Sequence, residues 1–308
     1  MGNSIQAGPT AADDAAPWRA LGLGLIALVC FSLTLPMTRF AVPAFGPELV
    51  GPGRSLVAAM AAVPLLIVLR RPLLPPKADL GPVIVVALGS VVGFPFLTAL
   101  ALRNVPASHA AVTIAFLPAA TAIMAVLHAR ERLAPRFWLW CAGGTLLTVG
   151  YLALDTRGGL EASDLELVGA VLLCALGYVA GGMLTRRTPA WLTTCWSVIV
   201  ASPLVLAIVL ASHHEVPHLT AKSVLAVVYL GLGSSLIAFF CWYQALAIGG
   251  IAKIGQISLL QPLLTMLFAA LILGEQLNTL TILMGFTVAI TVLMAQRTRQ
   301  TIPVSNPS

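Results

Sequence analysis

In an otherwise apolar chain, the side chains able to hydrogen-bond or stack on a small molecule fall into short stripes at helical spacing. Ser258, Gln261 and Thr265 follow one another at i, i+3 and i+7, which sets two hydroxyls and an amide on one face of a helix. Pro262 stands within that stripe, where it removes one backbone donor and frees a carbonyl near Ser258 for a bend or a ligand. Ser235, Phe239 and Trp242 repeat the pattern at i, i+4 and i+7, with Ser234, Tyr243 and Gln244 alongside. Hydroxyls beside aromatic rings suit an organic molecule, which they hold by stacking and a few hydrogen bonds. Thr113 and Thr121 flank Leu117 and Pro118, Phe96 lies in the segment GFPFLT with Pro95, and Tyr178 lies among Gly177, Gly181 and Gly182.

The predicted substrate-binding set is therefore Ser258, Gln261, Thr265, Trp242, Phe239, Ser235, Thr121, Thr113, Phe96 and Tyr178, and the predicted bending points are Pro36, Pro95, Pro118 and Pro262. The same residues also suit plainer uses. Hydroxyls can bond neighbouring helices, small residues can bring helices close, and Trp242 with Tyr243 can form an interfacial belt.

Reactive constellations are scarce. An intramembrane protease or transferase needs paired catalytic groups inside the membrane, such as two aspartates or Ser with His, and no catalytic residue is predicted. The histidines His213, His214 and His218 with Glu215 stand next to Pro217 at a spacing poor for a helical metal site, so no metal is predicted. The cysteines Cys30, Cys141, Cys174, Cys195 and Cys241 lie in apolar runs without CxxC spacing and read as small hydrophobes. No phosphate-binding GxxxxGK[ST] occurs, and no cofactor is predicted. Arg39, Arg54 and Arg103 lie at or just inside the ends of apolar runs, where Arg54 or Arg103 could pair with a substrate carboxylate, although snorkelling to the interface is the default for such residues.

The elements that must position these groups follow from composition. Hydrophobic residues make up 59% of the chain and charged residues 9%, with a mean hydropathy of +0.97, against about 25% charge in an ordinary soluble protein. Runs of roughly 20 apolar residues cross about 30 Å of hydrocarbon as helices, because the bilayer offers no partner to open backbone groups. Ten such spans are predicted, near 18–42, 48–69, 79–102, 107–128, 135–154, 166–185, 190–211, 220–246, 251–273 and 278–296. Residues 1–17 and 297–308 are expected to be tails, the first of them disordered. The net charge of +6 is spread between the runs in pairs, so loop topology explains it and nucleic acid is not a predicted partner.

An offset of 144 positions carries Pro118 onto Pro262, Thr121 onto Thr265 and Glu131 onto Glu275, and pairs Gly89 with Gly233, Ser90 with Ser234 and Phe96 with Phe240. The match is clear from the third to the fifth span and vaguer for the first two. Five spans per half, 18–154 and 166–296 with a linker at 155–165, make the halves enter the membrane from opposite sides. With both termini cytoplasmic, twelve of the 17 Lys and Arg residues fall inside, leaving Arg39, Arg54, Arg103, Arg157 and Lys222 outside, as the positive-inside rule requires. The expected class is an all-α membrane protein of ten helices in two inverted five-helix repeats, with a substrate site between the halves. Glu131 and Glu275 end their spans and read as structural anchors at opposite surfaces.

The ten spans, the Pro-containing span nine ending GEQL, its copy ending ARERL and the segment WYQALAIGG resemble the drug/metabolite transporter superfamily, specifically its EamA-type members. The resemblance runs from about Trp18 to Gln296 and implies a secondary transporter of a bacterial inner (plasma) membrane, not an enzyme. The family implies export or import of amino acids, nucleosides, sugars, vitamins, drugs or other metabolites; the expectation for this chain is export of amino acids or related compounds by alternating access, with efflux of drugs or other lipophilic compounds as the alternative and an intramembrane enzyme as the more distant one. No Asp or Glu falls in the middle of a span, which disfavours the buried-carboxylate mechanism of small multidrug exporters. The expected partners are a small-molecule substrate and the lipid bilayer, with monomer and homodimer both open.

Overall fold

A computed structural model of the protein describes residues 11–129, 135–155, 161–212, 220–249, 257 and 260–297. Every regular element among them is helical. Ten spans follow in order. Span one comprises Ala11–Ser32 and Thr34–Glu48, span two Leu49–Gly53 and Arg54–Val68, and span three Lys77–Val86, Ala87–Gly93 and Phe94–Ala101. Span four is Ala107–Ile114 and Leu117–Ala129, span five Pro135–Asp155, span six Ala162–Leu184 and span seven Ala190–Ala211. Span eight runs through Ala221–Val228, Tyr229–Ile237 and Ala238–Gly249, span nine is Gln261–Leu273 and span ten Thr279–Arg297.

The first helix begins at Ala11, inside the segment expected to be a tail. The stretch 18–68 is 51 residues long, enough for two passes, and it turns at Gly46, whose φ of 74° is cheap for a residue without Cβ. The stretches 77–101, 162–184, 190–211 and 221–242 are each long and apolar enough to cross a membrane, while 107–121, 138–147, 261–273 and 279–291 are shorter apolar helices. Large side chains such as Ile67, Leu127, Leu146, Leu210, Leu271 and Ile290 stand exposed on the outside of the bundle, as a lipid-facing surface allows and water would not. The protein is a multi-pass membrane protein.

Packing follows the repeat. Span one packs on span eight and span three on span six, and exchanging the halves turns the first pair into the second. Spans two and seven, four and nine, and five and ten each pack on their own counterpart. The inverted two-repeat architecture expected from the sequence is thus the one observed. Spans three and six come close enough that a Cβ on Gly89 would collide with the Leu173 carbonyl of span six.

Two irregularities recur in both halves. Ala87–Gly93 of span three and Tyr229–Ile237 of span eight are π-helical, and the 144-residue offset carries 87–93 onto 231–237. Such stretches are rare and gather at functional positions. The four prolines expected to bend helices share one local setting. Pro36 follows the interruption at Leu33, Pro95 the π-segment, and Pro118 the turn at Ala115 and Phe116, while Pro262 stands at the start of Gln261–Leu273. Each is in the first turn of a helical segment, where a missing N–H costs nothing. Pro262 thus stands at the opening of a described helix.

Polar side chains tie the two ends of the bundle differently. At the end carrying Glu275, that carboxylate accepts from the N–H groups of Ala107 and Ser108 at 2.8 and 3.0 Å and from the Ser108 hydroxyl at 2.8 Å. It caps the start of span four with a charge that suits a helix N-terminus. His109 meets Asp164 at 2.9 Å with both side chains buried, Asn104 donates to the Ser163 hydroxyl, and Arg39 donates to the Leu102 carbonyl. At the other end Arg187 pairs with Asp79 at 2.5 Å, with the arginine side chain 58% exposed, and the Trp196 indole donates to the Pro72 carbonyl. Among the described residues both ends are thus tied by polar contacts, of which His109 with Asp164 is the fully buried one.

Candidate functional site

Between the halves lies a cavity of about 490 Å³, within the range that encloses a small organic molecule. Its walls are made of repeat-related positions. Ser90 and Ser234, Thr121 and Thr265, and Leu117 and Gln261 line it in pairs 144 residues apart, as do Val91 and Ser235, and Pro95 and Phe239. Spans one, two, six and seven contribute Thr34, Arg54, Tyr178 and Val198 to the same wall.

The cavity extends towards both ends of the bundle. On span seven it reaches Thr193 and Thr194, in the first turn, and on span six it reaches Gly182, two residues from that helix's end. Towards the Glu275 end it stops at Cys174 on span six and Ser234 on span eight, more than three turns from each helix terminus, but on span four it reaches Ala111, about one turn from the start that Glu275 caps, and on span two Arg54, at the start of its helix.

One wall is aromatic. Phe31 meets Phe239 edge to face at a centroid distance of 5.0 Å and an interplanar angle of 75°, and meets Trp242 at 6.4 Å and 78°. This T-shaped geometry is the one that ring quadrupoles favour. The opposite chemistry is a set of hydroxyls. Thr34 and Ser234 share a hydrogen bond of 2.7 Å across the two halves. Thr121 donates to the Leu117 carbonyl, Ser197 to Thr193, Thr194 to Ala190 and Ser235 to Leu230. With their protons committed to backbone carbonyls, these four oxygens present lone pairs to the cavity and can accept from N–H or O–H groups of an occupant.

Arg54 is the one charged residue in the wall among the described residues. It begins the helix Arg54–Val68 just after the π-helical turn Leu49–Gly53, and only 7% of it is exposed. Its depth is set by backbone packing: Gly231 lies so close that an added Cβ would stand 2.8 Å from the Arg54 carbonyl oxygen and 2.6 Å from Val57 Cβ. Snorkelling, the default expectation for this residue, is not what the structure shows.

The comparisons with known proteins fit this arrangement. The model of the EamA-like transporter family matches the chain twice, over residues 18–153 and 163–296. The chain belongs to the EamA-like transporter family. It is similar to the uncharacterised transporter YdeK of Bacillus subtilis (strain 168), with 38% identity over 278 residues, covering 89% of this chain and 96% of that protein. It shares its fold with a protein known from a crystal structure at 18% identity and a TM-score of 0.61, covering 90% of this chain and 95% of that one. As an EamA-like protein it is a membrane transporter, and its cavity is read below as a transport site.

Among the residues expected to bind substrate, Gln261, Thr265, Trp242, Phe239, Ser235, Thr121 and Tyr178 line the cavity. Thr113 does not. It is buried with a hydroxyl that has no partner, because the turn at Ala115 and Phe116 breaks the helical register that would have put it beside Thr121. Phe96 is half-buried outside the wall, one residue step of about 100° away from Pro95, which is in it. Ser258 lies outside the described residues, as do Glu131 and the cluster of His213, His214, Glu215 and His218. Sequence reading passed over Phe31, Thr193, Thr194 and Ser197 as lining residues. The 144-residue offset carries Val50 onto Thr194 and Arg54 onto Val198, so extending it to the first two spans would have brought Arg54 and Val198 forward.

Proposed function

We propose that this EamA-like protein is a secondary transporter that exports amino acids or related small metabolites across the inner (plasma) membrane, by alternating access between its two five-helix halves. The observation that carries the reading is the cavity built from repeat-related pairs, since a site on the pseudo-symmetry axis of an inverted repeat can be exposed alternately by rocking one half against the other. The acceptor hydroxyls suit an ammonium group and the Phe31, Phe239 and Trp242 surface suits a side chain. Wall positions Gln261, Thr265, Ser235, Thr121 and Tyr178 supply the remaining polar contacts, while the segment starts at Pro36, Pro95, Pro118 and Pro262 supply the bending points.

The loop charges support an orientation with both termini in the cytoplasm and the Glu275 end outside. Flux into proteoliposomes tests the reading. Uptake or counterflow of at least one amino acid or close derivative from a broad metabolite panel is the expected result, and a reconstituted, folded protein that moves no member in either direction would overturn it.

A further inference from the structure

The cavity has a charge that nothing described neutralises. Arg54 is buried, and the groups around its guanidinium are the neutral side chains of Cys174, Tyr178 and Tyr229. Among the described residues it has neither an ion pair nor a hydrogen bond, and no carboxylate lines the cavity. A guanidinium stays protonated in a protein, so the site is cationic when empty. A cation at membrane depth without a counter-ion is costly, and residues of this kind face a cavity and await a partner of opposite charge. The placement is one-sided, since the wall residues described in the second half include no charged side chain.

We propose that Arg54 is the anchor for a carboxylate on the transported molecule, and that Phe31, Phe239 and Trp242 receive that molecule's apolar group. The inference rests on the transport reading and adds the chemical class to it. The planar fork of the guanidinium matches a carboxylate in two parallel hydrogen bonds. Binding the anion replaces an uncompensated charge with a paired one, which makes the carboxylate the group the site can least do without. A compound with an amine in place of the acid meets like charge instead. Two sources share this chemistry, the zwitterionic amino acids and carboxylates that lack a free ammonium, and the acceptor hydroxyls favour the former.

The test uses the purified full-length chain and matched probes: leucine and phenylalanine, their N-acetyl derivatives, and their amides. Thermal stabilisation reads binding, because a ligand stabilises the state it binds. In the natural protein at least one free or N-acetylated acid should stabilise and its amide should not. A preference for the free amino acid over the N-acetyl form identifies the zwitterion as the source, and the reverse identifies the simple anion. In Arg54→Gln the acid should bind at least about tenfold more weakly, with part of the affinity kept in Arg54→Lys, which restores charge without the fork. Equal binding of acid and amide, equal binding by Arg54→Gln, or no binding of any probe would overturn the assignment. Should Arg54→Gln not fold, the comparison of acid with amide on the natural protein still decides. If the natural protein and Arg54→Gln transport a neutral metabolite equally well, transport stands and the Arg54 assignment falls. If acids bind in an Arg54-dependent way but none is moved, the assignment stands and the transport reading falls.

Discussion

The two halves share their backbone devices and divide their chemistry. Both carry a π-helical segment at the same repeat position, a proline in the first turn of a helical segment at Pro118 and Pro262, and the pairs Ser90 with Ser234 and Thr121 with Thr265 in the cavity wall. At other paired wall positions the halves differ in kind. The first half has Arg54, Val91, Pro95 and Leu117 where the second has Val198, Ser235, Phe239 and Gln261. A symmetric scaffold lets either half move relative to the other, whereas a symmetric wall would offer two identical and competing poses. Placing the cation on one side and most of the aromatic and amide surface on the other fixes one orientation for the occupant.

Breaking the shared scaffold should have the largest effect. Gly89→Val sets a branched side chain against the Leu173 carbonyl, and overpacking at a backbone contact should cost about 3 kcal/mol. The expected result is a large fall in Tm and in the yield of monodisperse protein, and an unchanged Tm would show that the close contact of spans three and six is not needed. An intermediate effect is expected at the bundle end. Glu275→Gln weakens three hydrogen bonds that a carboxylate makes to the start of span four, worth about 1–2 kcal/mol together. Tm should fall while ligand affinity, measured by titration, stays within about twofold.

The smallest change addresses the divided chemistry directly. Gln261→Leu gives the second half the residue that the first has at Leu117, removing one hydrogen-bonding amide from the wall at about 1 kcal/mol, or about fivefold in Kd. Tm of the unliganded protein should be unaltered. If Gln261→Leu kept full transport while Glu275→Gln abolished it in a folded protein, the division between scaffold and wall drawn here would be inverted.

The fold was legible because hydropathy, loop charge and the 144-residue offset are all carried by residue type, and the bilayer leaves few alternatives to a helix. Half of the site was legible for the same reason: Gln261 with Thr265, and Phe239 with Trp242, keep helical spacing within one α-segment, and Ser235 lines the same cavity although it stands in the π-segment before them. Thr113 was misplaced by a two-residue turn that no periodicity rule sees. Arg54 stands near a helix start, where a charge ordinarily reaches the interface. Its depth comes from the break at Gly46 and the π-helical turn at Leu49–Gly53, together with the close approach of Gly231, which are matters of backbone geometry and not of composition.

The π-segments also act as stores of slack. A π turn takes in about one residue more than an α turn, so rewinding one as α-helix would screw the rest of the span round by about 100° and along by about 1.5 Å. In span three that single click is the step from Pro95 to Phe96, exchanging a ring that lines the cavity for one that stands beside it. Span eight holds the same reserve at the same place in the opposite half, with Phe239 and Trp242 just beyond it. The bundle thus has, built into its two central walls, a pair of ratchets able to reface the cavity without breaking a helix.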